Sequence, residues 1–209
     1  NVNKFAKGGS MDKAAYAVNF FKEKGLSEHA AKGLVGNLLR ESGLNTGAVN
    51  GSSKAFGIAQ WLGSRKKALF NKYGNSPSFE NQLDFVWHEL NTTHKNGLKH
   101  LQNSKSIEEA AKNAFGYYEF SSGPEGAIRA MNKSGQNGLA AIAKGVNYAL
   151  GINGKAGNYK PSDFQNMMGS SSPTSVSLPQ LDNANYSLPE IKNTFDFNAF
   201  NPVALNLSS

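Results

Sequence analysis

The 209 residues predict a mainly α-helical domain followed by an extended C-terminal segment, and three observations carry that prediction. Between Ser10 and Gly151, apolar residues recur at helical spacing in short runs punctuated by Ser, Gly and Pro. Strand-like alternation is almost absent from the same stretch, and residues 50–62 have room for a small hairpin at most. Composition then breaks near Gly151. Five of the seven prolines lie beyond it, at Pro161, Pro173, Pro179, Pro189 and Pro202, among many Asn and Ser. Proline removes a backbone donor and restricts its predecessor, so that segment resists continuous helix.

The helices follow in order. Ser10 caps a first helix running to Lys24, with Gly25 ending it. Ser27 opens a second, in which Ala31, Leu34, Val35, Leu38 and Leu39 form one apolar stripe. Within it, Gly33-Leu34-Val35-Gly36 reads as glycine for helix packing, because no strand precedes it to make a phosphate loop. Ser64 opens a third helix, closed by Gly74. Ser76-Pro77 sets proline at a first-turn position before Leu83, Val86, Trp87 and Leu90. Ser106-Ile107-Glu108-Glu109 forms a capping box ahead of Ala110, Ala111, Ala114, Phe115 and Tyr118. A last helix covers about 137–150. The expected organisation is therefore an extended segment over 1–9, a helical domain over 10–151, and a tail over 152–209. Phe164, Met167, Met168, Phe195, Phe197 and Phe200 make the tail too apolar for a plain linker. It carries a ten-residue echo, Ser177-Leu178-Pro179-Gln180-Leu181-Asp182-Asn183 and Ser187-Leu188-Pro189-Glu190-Ile191-Lys192-Asn193, which suits docking on a partner or back onto the domain.

Charge and composition narrow the function. Residues 1–150 hold 19 Lys/Arg against 11 Asp/Glu, a balance of +8, whereas residues 151–209 hold 3 against 4. A cationic domain favours polyanionic partners. No basic block exceeds Arg65-Lys66-Lys67, so a dedicated nucleic-acid arm is not expected. Cysteine is absent, which excludes disulfides, thiolate metal sites and a cysteine nucleophile. No run of eighteen uncharged apolar residues is present, and no basic-then-apolar leader follows Asn1, so neither a membrane span nor a signal peptide is expected. His88-Glu89-Leu90-Asn91 begins like a zinc-peptidase helix, but position 92 is Thr where the second His must stand. There is no Gly-x-Ser-x-Gly elbow and no Walker loop. Neither a metal nor an organic cofactor is implied.

Among the acids, Glu41 stands out. It follows Leu34 by seven positions and Leu38 by three, which brings it near the buried stripe, and it sits in the last helical turn before Ser42-Gly43. Lost hydration and the negative end of the helix dipole both disfavour its ionised form. A carboxyl kept protonated in this way can donate to a leaving oxygen, as glycosidases require. A glutamate paired with Arg40 or a lysine, or simply solvated, is the alternative that spacing alone leaves open.

The surrounding residues carry a resemblance. Gly36-Asn37-Leu38-Leu39-Arg40-Glu41-Ser42-Gly43-Leu44-Asn45, then Phe56-Gly57-Ile58-Ala59-Gln60-Trp61, resembles the Glu-Ser-Gly-Leu-Asn and Gly-Leu-x-Gln motifs of goose-type lysozymes and soluble lytic transglycosylases. The nearer likeness is to the phage tail lysozyme family, whose Gly-Asn-x-x-x-Glu-Ser helix is followed by Gly-x-x-Gln-Trp and a short basic helix, here Gly63-Ser64-Arg65-Lys66-Lys67-Ala68-Leu69. Gln82-Leu83-Asp84-Phe85-Val86-Trp87-His88-Glu89-Leu90 and Ala114-Phe115-Gly116-Tyr117-Tyr118-Glu119 resemble its later Gln-Leu-x-Phe-x-Trp-x-Glu-Leu and Phe-x-x-x-Tyr-Glu segments. The likeness spans roughly 11–150. After Glu119 the chain reads Phe120-Ser121-Ser122-Gly123-Pro124, where members commonly continue Arg-Pro.

The resemblance implies a lysozyme-like helical fold that cleaves the β-1,4 bond between N-acetylmuramic acid and N-acetylglucosamine in bacterial peptidoglycan. Glu41 aligns with the catalytic acid and Gln60 with a cleft-lining glutamine. Trp61 aligns with a neighbouring apolar or stacking position, and Tyr118-Glu119 with a pair facing the same cleft. On this reading Gly57 lets backbone approach a sugar, and Trp61, Tyr117 and Tyr118 offer flat faces to sugar rings, although each aromatic can equally be core; for Trp87, core is expected. Glu119 is the first candidate for a second carboxylate, ahead of Asp84 and Glu89. Hydrolase and lytic transglycosylase both remain open, since the latter needs one acid alone. The implied setting is a phage virion, in the tail or among ejected components, with other virion proteins as partners through residues 152–209. A non-catalytic virion protein with a lysozyme-like body is the rival. A DNA-binding role through Arg65, Lys66 and Lys67 ranks last.

Overall fold

Helix α2 (Glu28–Ser42) is the element around which the others gather. Ser27 opens it by accepting from the Ala30 N–H at 3.3 Å, and Gly43 closes it in a left-handed conformation at φ 62°, its N–H donating to Leu39 O. The computed structural model describes residues 10–152, 154 and 157–168. Helix α1 (Ser10–Glu23), α6 (Ile107–Asn113) and α8 (Gly138–Gly151) pack on α2. Two of its glycines permit this closeness. A Cβ at Gly33 would run into Ala110 of α6, and one at Gly36 would lie 2.5 Å from the Ala149 Cβ of α8. The remaining helices are α3 (Gly63–Tyr73), α4 (Phe79–Asn91), α5 (Lys95–Asn103) and α7 (Gly123–Lys133), with a π-helical turn over Ala114–Glu119. The fold is a mainly helical, lysozyme-like domain, as expected, and no strand occurs among the described residues.

Several local expectations need correction. Helix α4 starts two residues later than proline placement suggested: Ser78 is its cap, paired with Asn81 in a reciprocal capping box, and Pro77 lies outside it. Ser106 does cap α6, but the Glu109 carboxylate turns back to the Lys105 N–H at 2.7 Å rather than closing a box on Ser106. Helix α3 begins at Gly63 with no side-chain cap. Helices α5 and α7 were not foreseen: neither has a side-chain cap, and α7 opens on Gly123-Pro124. The proposed hairpin of 50–62 reduces to isolated bridges between Val49 and Phe56 and between Phe56 and Trp61.

Two apolar clusters result. One joins α1, α2 and α4 with Ile58, Trp61, Leu69 and Tyr118; Trp87 is half-buried against it. The other joins α6, α7 and α8 with Phe164. Phe164 lies on a 3-10 helix, Pro161–Met168, that returns over α8. Asn147 of α8 holds this return, accepting from the Tyr159 N–H at 2.8 Å and donating to Tyr159 O at 2.9 Å. The segment after residue 151 is therefore not wholly an extended tail, because Phe164 has a buried place in the domain. The ten-residue echo and Phe195, Phe197 and Phe200 lie outside the described residues.

Candidate active site

The last two turns of α2 carry Asn37, Arg40 and Glu41, and the end of the π-helical turn brings Glu119 to them. Arg40 is almost wholly buried, with its guanidinium carbon 5.3 Å from the Phe115 ring centre. Its Nη2 donates to Oε1 of Glu41 and to Oε1 of Glu119. Its Nε donates to Asn37 Oδ1 at 3.3 Å, and Asn37 Nδ2 donates to Glu119 Oε2 at 2.9 Å. The two carboxyls thus meet on one guanidinium nitrogen. Their side chains keep 10% and 18% of their surface, so the pair is dry but reachable.

That arrangement splits the two acids. Burial pushes Glu41 well above the usual carboxyl range; Arg40 opposes this, and the negative charge and hydrogen bond of Glu119 reinforce it. Burial also pushes Glu119 up, but Arg40 and the bonds from Glu41, Arg40 and Asn37 outweigh it and hold Glu119 below that range. One guanidinium bonded to two carboxyls balances one negative charge, so the three groups are neutral together when one acid keeps its proton. The expected upward shift of Glu41 and the alternative pairing with Arg40 thus occur together.

A second buried carboxylate, Glu89, organises the neighbouring wall. Arg65 donates to it twice, from Nε at 2.6 Å and from Nη2 at 2.8 Å. Trp61 Nε1 donates at 2.9 Å and Tyr118 Oη at 2.7 Å. This corrects two placements. Trp61 is fully buried and Tyr118 is 2% exposed, so neither offers a face to a sugar; their polar tips serve Glu89. Arg65, one of the three candidate DNA contacts, is committed to the same carboxylate. Asp84 lies elsewhere, accepting from the Tyr73 hydroxyl.

The loop from Leu44 to Leu62 is stapled from below. Gln82 Oε1 accepts from the Ile58 N–H at 2.9 Å, while its Nε2 donates to Thr46 O and Pro77 O, both at 3.0 Å. Ser42 Oγ donates to Ile58 O at 2.9 Å. Gly57, at φ 74°, presents to Gln82 and Trp61 the side where a Cβ would stand, so its missing side chain serves that internal contact rather than a sugar. Gln60 is half-buried at φ 47°, and its Nε2 donates to Gly57 O at 2.9 Å, closing the turn. Tyr117 is half-buried and stacks on His100 at 3.7 Å between ring centres. Among the described residues no group of three or more potential ligands is placed to hold a metal, and no helix is long and apolar enough to cross a membrane. Sequence reasoning missed Asn37 and Arg65 as site supports; the signal for Asn37 was its place one turn before Glu41.

A mainly helical body with two largely buried acids on one arginine at a helix end suits the general-acid chemistry of a glycosidase domain. The comparison with known families agrees: the family model described as phage tail lysozyme matches residues 12–143, and the chain belongs to that family. No curated protein and no solved structure matches it. Membership makes this a phage-associated, lysozyme-like domain acting on the bacterial cell wall.

Proposed function

We propose that the chain cleaves the MurNAc-β-1,4-GlcNAc bond with Glu41 as general acid, and that it does so as a lytic transglycosylase. The observation that supports this is that the Glu41 and Glu119 carboxyls both accept from one arginine nitrogen. Glycosidases that activate water or form a covalent intermediate set their two carboxyls on opposite sides of the bond, about 6.5–9.5 Å or about 5–5.5 Å apart. Here both Oε1 atoms accept from one guanidinium nitrogen, so the carboxyls lie side by side on Arg40 rather than across a sugar ring. Glu119 is thus better suited to support Glu41 than to act across the ring.

The reaction then needs one acid. Glu41 gives its proton to the glycosidic oxygen as the bond from the muramic C1 breaks. The muramic C6 hydroxyl attacks C1, and its proton returns to Glu41. A 1,6-anhydro end forms and no water is consumed. In the particle the domain opens the wall locally, and the part of residues 152–209 beyond the packed 157–168 docks on other virion proteins.

Mass spectrometry of purified peptidoglycan digested by the chain and by Glu41→Gln tests this. Anhydro-muramic ends from the native chain, reduced about 10²–10⁴-fold in the variant, are expected for loss of a general acid. Reducing muramic ends would make it a hydrolase. Undigested wall from the folded native chain would overturn the enzyme reading in favour of a non-catalytic virion protein.

A further inference from the structure

Arg40 reaches both carboxyls through the same Nη2, while burial and charge bear on them unequally. Asn37 adds a contact to Glu119 alone, fixed by its orientation. Its side chain is buried on α2, one turn before Arg40. Because Oδ1 accepts from Arg40 Nε, the amide can turn only Nδ2 toward Glu119. Glu119 therefore accepts on both oxygens, from Arg40 on Oε1 and from Asn37 on Oε2. Among the described residues, Glu41 accepts from Arg40 and from no amide. Donors stabilise the ionised form of the group that accepts them.

We propose that Asn37 is the positioning residue that decides which of the two carboxyls keeps the shared proton: by donating to Glu119 it leaves the charge there and the proton on Glu41. This rests on the reading of Glu41 as the acid and adds a residue to it. The other charged groups facing the pair are Arg65 of α3 and Lys144 of α8. Both are cations. Arg65 is held by Glu89, and neither group changes in the variants below.

The test is a carbon-13 NMR titration of carboxyl-labelled glutamate in the full chain, with Glu41 and Glu119 assigned by their Gln variants. In the native chain Glu41 titrates above Glu119. In Asn37→Leu, which keeps the volume and removes the donor, the two midpoints approach each other by about one pH unit, the size of one lost hydrogen bond to a charged group. The fall in kcat follows the share of the proton that passes to Glu119, with KM unchanged. Asn37→Asp keeps the oxygen facing Arg40, removes the same donor and narrows the gap too, so the test survives failure of the leucine variant to fold. A native chain in which Glu119 titrates above Glu41 overturns the proposal, as does an unchanged gap in either folded variant. The expected midpoints without any glycan cleavage support the role of Asn37 and overturn the enzyme reading instead.

Discussion

Glu89 and Glu41 are both glutamates buried beside an arginine, yet they differ in the one respect that decides their chemistry. Glu89 has Arg65 to itself, in a two-bond contact, with Trp61 and Tyr118 completing its acceptors. Burial raises its proton affinity, and those partners more than reverse it, so it stays ionised. Glu41 must share Arg40 with Glu119. One guanidinium bonds both acids, and burial holds Glu41 above the usual carboxyl range. Counting charge within each cluster, rather than ranking single residues by burial, separates a structural carboxylate from a proton donor.

The strongest way to break this comparison is Glu89→Gln. It strands the Arg65 charge and removes an acceptor from Trp61 and Tyr118, so unfolding in denaturant should show a loss of about 3–5 kcal/mol. A folded, fully stable variant lacking only glycan cleavage would make Glu89 part of the chemistry. A smaller effect is expected from Tyr118→Phe, which removes one hydrogen bond to that carboxylate and should cost about 1.5–3 kcal/mol by the same measurement. Activity measured well below the melting temperature should persist, since no sugar contact is lost.

The two acids should also give opposite pH signatures. Glu89 titrates low in the fold, so its contribution is present above the unfolded value of about 4.3 and disappears as pH falls through the lowered folded value. Glu41 titrates high. Its contribution is complete below about 4.3 and disappears as pH rises through the raised value. Glu41→Gln, which mimics the acid, should therefore match the native chain within about 0.5 kcal/mol at mildly acidic pH and become the more stable of the two as pH climbs. Thermal melts across pH check this, and native stability that rises above neutrality relative to the variant would contradict a protonated Glu41.

Much of the helical frame was legible because its signals are local. Ser27 and Gly43 bracket α2, Gly74 ends α3, and the stripe of Leu34, Leu38 and Leu39 turns toward the core. Glu41 was legible for the same reason: a helix end beside an apolar stripe is a poor place to hold a charge. Helices α5 and α7 were not, since neither opens on a capping side chain that marks its start. The return of residues 157–168 was hidden behind Pro161 and the loss of helical pattern, and Asn147 and the buried Phe164 reveal it only in three dimensions.

The sequence by itself determined the class of fold, the basic front half, and the motif that puts an acid at the end of a glycine-rich helix. Those follow from spacing, composition and caps, which act over a few residues. Tertiary structure alone decided what the polar residues do. Trp61 and Tyr118 serve Glu89 across 28 and 29 positions of chain, Gln82 braces a loop 24 positions away, and Asn37 meets Glu119 across 82. An aromatic ring or an amide has the same local signature in a core as in a cleft. Which it becomes depends on the partner that folding brings to its polar atoms, because a buried donor or acceptor left without one costs about 1–3 kcal/mol.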